Sequence, residues 1–186
     1  MVLITAVFTG LLAGSLRAWI NHRRLALPDL KLIWVVPIAY LPQLISFQLP
    51  FTRKIIPDNW AAMALVGSQI LLLAFALRNY RVPGFWVLGL GLVLNLLVIS
   101  INGGLMPISP DTVTHLVLKT PSSTWQVGNR LGTSKDIILA SKDTRLWWLS
   151  DCLIVAILNK PIAFSIGDLF ISAGIIYFLW TLGRKP

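Results

Sequence analysis

Long apolar runs separated by short charged stretches dominate the pattern of hydrophobic and polar positions. A helix that crosses a bilayer needs about 20 mostly apolar residues. Five runs reach or approach that length: Met1–Leu16, Leu32–Thr52, Asn59–Leu77, Pro83–Ile101 and Phe164–Gly183. A sixth run, Leu146–Asn159, is shorter and contains Asp151, so it is more typical of an interfacial or re-entrant helix.

This pattern predicts an all-α, polytopic membrane protein. We expect about five transmembrane helices, one interfacial or re-entrant helix and an outer loop. Residues 1–101 would form four transmembrane helices. Residues 102–163 would form an extracytoplasmic segment with a short helix, a loop and the interfacial helix, and residues 164–186 the final transmembrane helix and a basic cytoplasmic tail.

Composition excludes several classes of protein. The 186 residues are 56% hydrophobic and 12% charged, with a mean hydropathy of +0.76. That charged fraction is about half the share in a soluble domain, which excludes a disordered chain and an ordinary soluble enzyme. The net charge of +9 is interrupted by apolar runs, so we expect no nucleic-acid partner. Cys152 is the single cysteine, and the sequence contains no nucleotide-binding or zinc motif. We therefore expect no metal and no cofactor.

Lys and Arg in the short loops predict the orientation, because cytoplasmic loops carry an excess of both. One set of loops and the tail holds Arg17, Arg23, Arg24, Lys31, Arg78, Arg81, Arg184 and Lys185. The opposite short loop holds Arg53 and Lys54. We therefore expect a multi-pass protein of the bacterial inner membrane with its N-terminus outside and its C-terminus in the cytoplasm. The first span is expected to be an uncleaved anchor, since no basic residue precedes it.

The outer segment contains signals for local structure. Ser109-Pro110-Asp111 predicts the start of a short helix that continues to about Lys119. A strand pair is expected around Trp125–Val127 and Ile137–Leu139. Polar residues inside the predicted spans are expected to hydrogen-bond between helices. They are Gln43, Gln69 and Asn95.

Asp151 and Asp168 are the main candidate functional residues, because an ionisable group near membrane depth is costly. Asp168 is also explained as an acid in the first turn of a helix, and Asp151 as a cap before Cys152 or a partner of Arg145. Alternatively, the two carboxylates meet and act on water as acid and base. Asn102 is either a polar helix terminus or an amide that orients a substrate carbonyl.

Three stretches carry a resemblance to a known family. They are NGGLMPIS at Asn102–Ser109, TRLWWLSD at Thr144–Asp151 and FSIGDLFISAG at Phe164–Gly174. With the basic stretch after the first helix, they make the chain resemble, over nearly its full length, a bacterial family of small membrane proteins catalogued only as a domain of unknown function. The resemblance implies no particular activity.

The segment FSIGDLFISAGIIYF is similar to the last-helix motif of lipoprotein signal peptidase, a membrane aspartic peptidase. In that family a Phe-Asn-x-Ala-Asp-type motif opens the final helix and supplies one catalytic Asp. Phe164, Ser165 and Asp168 stand in those places, with Ser165 where Asn is expected. The resemblance implies that Asp151 and Asp168 form the catalytic pair and that Asn102 positions the substrate. The sequence around Asp151 departs from the family pattern.

Two functions are compatible with these observations. The first is a non-catalytic integral membrane subunit or assembly factor of a larger membrane protein complex, with the lipid bilayer and other membrane proteins as partners. The alternative is an aspartic membrane peptidase with an outward-facing Asp dyad. A small-solute transporter is a third reading, but the chain lacks inverted repeats and ion-pairable charges in mid-span.

Overall fold

A computed structural model describes residues 2–22, 24–116, 125–157 and 160–182 of the chain. Five apolar helices account for most of the described structure. They are α1 (Val2–Ile20), α2 (Val35–Gln43, continued by a π-helical turn at Leu44–Gln48), α3 (Asp58–Arg78), α4 (Phe85–Ile101) and α6 (Ile166–Thr181). A 3-10 turn at Thr52–Lys54 precedes α3.

Two of these helices, α1 and α3, are long and apolar enough to cross a membrane. The other three are apolar but shorter. The 17 residues of α4 give a helix of about 26 Å at 1.5 Å per residue, against about 30 Å for a hydrocarbon core. The predicted membrane class thus rests on two candidate spans within the described residues.

The five helices form an open row in the order α1, α6, α4, α3, α2, in which α6 packs on both α1 and α4. The edge helices α1 and α2 each pack mainly on one neighbour. Apolar side chains, including Phe75, Phe85 and Ile171, fill the contacts between α3, α4 and α6 near one end of these helices. A second cluster near the other end includes Leu65, Ile99 and Met106.

The direction of the chain alternates along α2, α3, α4 and α6. Gln43 of α2 bonds to Ser68 of α3, while residue 31 before α2 bonds to residue 79 after α3. One end of these helices, here called the basic end, therefore gathers residues 17–22, 24–34, 78–84 and 179–182. Arg17 donates to the carbonyl of Trp180 there, and Ala26 N–H donates to the carbonyl of Leu182.

Small residues let α6 approach both of its neighbours closely. A Cβ atom added at Gly91 of α4 would lie 2.5 Å from the carbonyl oxygen of Gly167, and one at Gly174 would lie 2.5 Å from the amide nitrogen of Leu88. Added carbon atoms at Gly10 and Gly14 of α1 would meet Leu179. Backbone contact of this kind is the usual basis of tight helix pairs in membranes.

The segment between α4 and α6 is not all-helical, which corrects the all-α prediction. It contains β1 (Met106–Ile108), α5 (Pro110–Leu116), β2 (Asp136–Ile138), a 3-10 turn at Trp147–Leu149, β3 (Leu153–Ile157) and β4 (Lys160–Phe164). Strands β1 and β2 pair in parallel, with Met106 opposite Asp136. Strands β3 and β4 pair antiparallel, with Leu153 opposite Phe164.

The interfacial or re-entrant helix predicted at Leu146–Asn159 is wrong. The 3-10 turn and strand β3 occupy most of that run. Strand β3 contains Ile154, Val155 and Ile157, whose branched side chains favour extended backbone. The length and apolarity of the run suggested a helix. In the structure, its backbone hydrogen-bonding groups pair with β4 instead, and it forms a strand.

Two smaller predictions have mixed outcomes. The short helix is confirmed at Pro110–Leu116, with Ser109 Oγ accepting a hydrogen bond from Thr112 N–H at 3.1 Å. Its expected end near Lys119 lies outside the described residues. Of the predicted strand pair, Ile137 does lie in a strand, whose strand partner is β1. Residues 125–127 form no strand, and the antiparallel bridge to Ile137 comes from Arg130 instead.

We predict that Gly174→Ala will destabilise the protein by about 1–3 kcal/mol, because the new methyl group meets the backbone of α4. Gly67→Ala on α3 is the matched control, since a Cβ there meets nothing within 4 Å. It should leave stability unchanged or raise it by up to about 1 kcal/mol. Thermal unfolding of both variants in detergent tests this, and equal melting temperatures would contradict it.

Candidate functional site

Asp168 closes the first turn of α6. Ser165 is the N-cap, and its hydroxyl accepts a hydrogen bond from Asp168 N–H at 3.0 Å. Asp168 Oδ2 in return accepts from Ser165 N–H at 3.4 Å. This reciprocal arrangement is a capping box, which satisfies backbone donors that the helix itself leaves free. The placement of Asp168 in the first turn of a helix, expected from the sequence, is confirmed.

The capping box is bonded to α4 through Asn95. Asn95 Nδ2 donates to Asp168 Oδ1 at 2.8 Å, and Ser165 Oγ donates to Asn95 Oδ1 at 2.8 Å. Ser165 is fully buried and Asn95 is 3% exposed. Gly167 faces the Asn95 amide so closely that no side chain fits between them. The expected interhelical hydrogen bonding is thus confirmed for Asn95, as it is for Gln43, which donates to Ser68. It is not confirmed for Gln69, whose Oε1 is buried without a hydrogen-bond partner among the described residues.

Strand β1 brings Asp151 to a lysine. Met106 N–H of β1 donates to the carbonyl of Lys135, and Asp151 N–H donates to the carbonyl of Pro107. Residues 135 and 151 therefore both flank β1, and Lys135 Nζ lies 2.9 Å from Asp151 Oδ2. Lys135 Nζ also lies 3.6 Å from Asp136 Oδ1. Both expectations for Asp151 are wrong. It pairs with Lys135 and not with Arg145, and it caps no helix before Cys152 because Leu153–Ile157 is a strand.

The Asp151 carboxylate is almost completely buried, and its side chain is 3% exposed. Burial raises the pKa of Asp151 to about 7, against the lowering effect of Lys135, and the carboxylates of Asp136 and Asp168 raise it too. Burial acts to lower the pKa of Lys135, but Asp151, Asp136 and Asp168 outweigh it and the pKa is raised. Lys135 thus stays charged, and its ammonium group lies beside the carboxylates of both Asp151 and Asp136.

Asn102 holds a turn of the outer segment. Its Nδ2 donates to the carbonyl of Val98 at 2.8 Å and to that of Arg145 at 2.9 Å. Its Oδ1 accepts from Arg145 N–H at 2.9 Å. Leu146, the residue after Arg145, has a left-handed backbone with φ of 53°. The amide of Asn102 therefore fixes the approach to the 3-10 turn that ends at Leu149.

The structure holds the two candidate acids, Asp151 and Asp168, by different contacts. Asp151 and Asp168 both act electrostatically on Lys135. Asp168 is bonded to Ser165 and Asn95, whereas Asp151 is ion-paired with Lys135. The hydrogen bonds of Asn102 go to backbone groups of other residues.

Sequence reasoning missed two cations that tie the outer segment down. Lys135 is one. Arg130 is the other, with a side chain that is 5% exposed and lies 3.1 Å from Asp58 Oδ1 at the start of α3. Its guanidinium also lies 5.8 Å from the ring centre of Phe47. Asp136 beside Lys135 was the available local signal for a charge cluster, but nothing local pointed to Asp58.

The described residues contain no group of three His, Cys, Asp or Glu side chains that could hold a metal ion. What the cluster offers chemically is a buried carboxyl able to take up a proton near neutral pH. Asp151 Oδ1 has no hydrogen-bond partner among the described residues. The cluster pairs Asp151 with Lys135, and the protonation of Asp151 depends on pH.

We predict that the protein becomes more stable as the pH falls from 8.5 to 5. The folded-state pKa of Asp151 lies above its ordinary value of 3.8, so the favourable contribution is complete at low pH and is lost as the pH rises through about 7. Each kcal/mol should move the melting temperature by roughly 2–4 °C. Asp151→Asn should reduce this pH dependence, whereas Asp143→Asn, at an exposed position, should retain it. An unchanged slope in Asp151→Asn would refute the assignment.

Comparisons with known proteins identify a family and no activity. A protein of Thermotoga maritima, described only as uncharacterised, is 35% identical over 72 residues, which cover 39% of this chain and 42% of that protein. The chain therefore aligns with less than half of the relative's length. No solved structure matches. Neither finding bears on the resemblance to lipoprotein signal peptidase, which stays a prediction.

The model of a family of unknown function, DUF5317, matches residues 28–180. Since that match covers most of the chain, the protein belongs to the DUF5317 family.

Proposed function

We propose that the protein is a multi-pass integral membrane subunit or assembly factor with a non-catalytic role in a larger membrane protein complex. The observation that carries this proposal is the open row of helices. Its edge helices α1 and α2 each have one main partner in the chain. A helix with an unpaired apolar side in a membrane is available to pack on another protein.

Several features support a membrane location for all five helices. Neighbouring helices from α2 to α6 run in opposite directions, as successive spans must. Exposed tryptophans lie at or near the helix ends, where the indole ring suits the headgroup layer. They are Trp19, Trp34, Trp60, Trp86 and Trp180. The shorter helices fit a bilayer that thins locally around them.

The basic end supports the proposed orientation. Arg17, Arg24, Lys31, Arg78 and Arg81 all belong to that end, whereas the outer segment lies at the other. An excess of Lys and Arg on one side favours that side as cytoplasmic. The N-terminus would then lie outside, together with the segment between α4 and α6.

The two candidate acids support a structural role. Asp168 is bonded to Ser165 and Asn95, and Asp151 is paired with Lys135. The contacts of Asp168 join α4 to α6. The ion pair of Asp151 with Lys135 joins two parts of the outer segment that flank β1. A nucleophilic or acid–base pair needs open access to substrate, and here both carboxylates are held by other side chains.

Helix α1 supports docking on another membrane protein. Its buried side is a stripe of small residues at a spacing of four: Ala6, Gly10, Gly14 and Ala18. Large apolar side chains recur at a similar spacing and are exposed: Ile4, Phe8, Leu12, Leu16 and Trp19. Residues four apart share one face of a helix, so α1 presents a continuous apolar ridge.

A photo-crosslinking amino acid at Phe8 or Leu12 should yield a discrete, larger protein adduct in native membranes. Met63, which is 64% exposed on α3 inside the row, is the matched control and should give lipid adducts. Gel mobility and mass spectrometry of the adducts distinguish these cases. Absence of a protein adduct at both α1 positions would contradict the proposal.

An aspartic membrane peptidase is the second candidate. It is favoured by Asp151, whose Oδ1 is buried without a hydrogen-bond partner and whose pKa is raised to about 7, as an acid catalyst requires. Lys135 would have to leave Asp151 for the two carboxylates to share a proton. We therefore place this function second.

The non-catalytic proposal predicts that purified protein cleaves no peptide bond in prolipoprotein-type signal peptides. Mass spectrometry of the peptides after incubation in detergent tests this. If cleavage occurs, and is abolished by Asp151→Asn and Asp168→Asn but kept by Asp143→Asn, the peptidase replaces the subunit as the leading function. Cleavage that persists in both of the first two variants would exclude the Asp dyad.

A further inference from the structure

A cavity of ≈ 350 Å³ opens at the basic end, between the loop that precedes α2 and the turn that joins α3 to α4. Asp29 and Lys31 line one side, and Arg78, Tyr80 and Arg81 line the other. Ligand pockets in proteins begin at about this volume. The space therefore suits a small molecule or a headgroup better than a single ion.

A buried asparagine builds this cavity. Asn79 is 4% exposed and lies between the two walls. Its Nδ2 donates to the carbonyls of Lys31 and Phe75 at 2.8 and 2.9 Å, and its Oδ1 accepts from Lys31 N–H at 2.9 Å. Every polar atom of the side chain is thus used to hold loop and turn together, so the cavity is a fixed feature of the fold.

The charges around the cavity are unbalanced. Lys31, Arg78 and Arg81 supply three positive charges, and Asp29 supplies one negative charge. None of the three cations lies within 4.0 Å of a carboxylate among the described residues. Three positive charges around one cavity, opposed by a single carboxylate, favour an anionic ligand.

The Arg81 guanidinium contacts Tyr80 and keeps donors free for an anion. Its Nε donates to the Tyr80 hydroxyl at 2.9 Å, and its guanidinium carbon lies 5.6 Å from the Tyr80 ring centre. These contacts use one of its donors, and its terminal nitrogens form no hydrogen bond within the described part of the chain. A guanidinium with free terminal donors matches the oxygens of a phosphate group in a bidentate manner.

The surroundings of the cavity contain amphipathic aromatic side chains. Trp34 before α2 and Trp86 at the start of α4 are 59% and 62% exposed. Aromatic side chains of this kind at the ends of apolar helices occupy the headgroup layer, and basic pockets at that depth bind anionic headgroups. If the helices span as proposed above, the cavity lies at the level of the lipid phosphates.

From these observations we propose that the cavity between residues 29–31 and 78–82 binds a phosphate group. Arg78 and Arg81 would contact its oxygens and Lys31 would add a point charge. Two sources share this chemistry: the headgroup of an anionic phospholipid and a soluble phosphate. The site goes beyond the proposed function, since neither a partner protein nor a reaction is required for it.

The test uses the full chain, purified in a zwitterionic detergent. In one arm, mixed micelles containing phosphatidylglycerol or phosphatidylcholine are titrated into the protein; in the other, inorganic phosphate is titrated. Thermal stabilisation and native mass spectrometry report binding. We expect phosphatidylglycerol to bind more tightly than phosphatidylcholine. Binding of inorganic phosphate with no added effect of the lipid would identify a soluble phosphate as the ligand of the same site.

Matched variants separate the cavity from general charge. Arg78→Gln combined with Arg81→Gln should weaken binding by about tenfold. Arg24→Gln combined with Lys54→Gln removes the same charge at exposed positions that do not line the cavity, and it should leave binding within about twofold. Lys31→Gln provides an independent second variant if the double variant melts early. Equal losses in the matched pairs, or no binding of either probe, would overturn the proposal. Neither result depends on whether α1 docks on a partner.

Discussion

Two pairs of glycines, Gly84 with Gly174 and Gly91 with Gly167, let the backbones of α4 and α6 touch along two turns of each helix. Neither helix can shift along the other without placing a side chain against the opposite backbone. Asn95 then adds a polar lock one turn further on, where it joins the cap of α6 to α4. Helix α1 also packs on α6, and α3 packs on α4. The order and spacing of the whole row therefore depend on the contact between α4 and α6.

The segment between α4 and α6 is held on these helices by buried apolar side chains, among them Met106 and Leu149, and by two ion pairs. Lys135 and Arg130 reach carboxylates from loops that contain little regular structure. The Arg130 side chain is only 5% exposed, so withdrawing it from water is costly, and the cost is offset only while it keeps its partner. A segment with a small apolar cluster around Ile108, Val113 and Ile138 can thereby hold one arrangement.

Local signals in the sequence predict the helices and their caps well, because these features depend on neighbouring residues. The apolar runs, the Ser109 cap and the position of Asp168 are of this kind. The sequence predicts poorly whatever depends on distant partners. Parallel pairing of β1 with β2 decides that Asp151 meets Lys135 and not Arg145, and β4 decides that residues 153–157 form a strand. The close contact of Gly10 and Gly14 with Leu179 of α6 likewise depends on a partner far along the chain.

The contact between α1 and α6 joins the two ends of the chain: Arg17 donates to the carbonyl of Trp180, 163 residues away. At a ribosomal rate of about 5–20 residues per second, α1 emerges roughly ten to thirty seconds before α6 is made. Its small-residue stripe has no partner in the chain during that interval. Helix α1 can therefore pack on α6 only after nearly all of the chain between them has been synthesised.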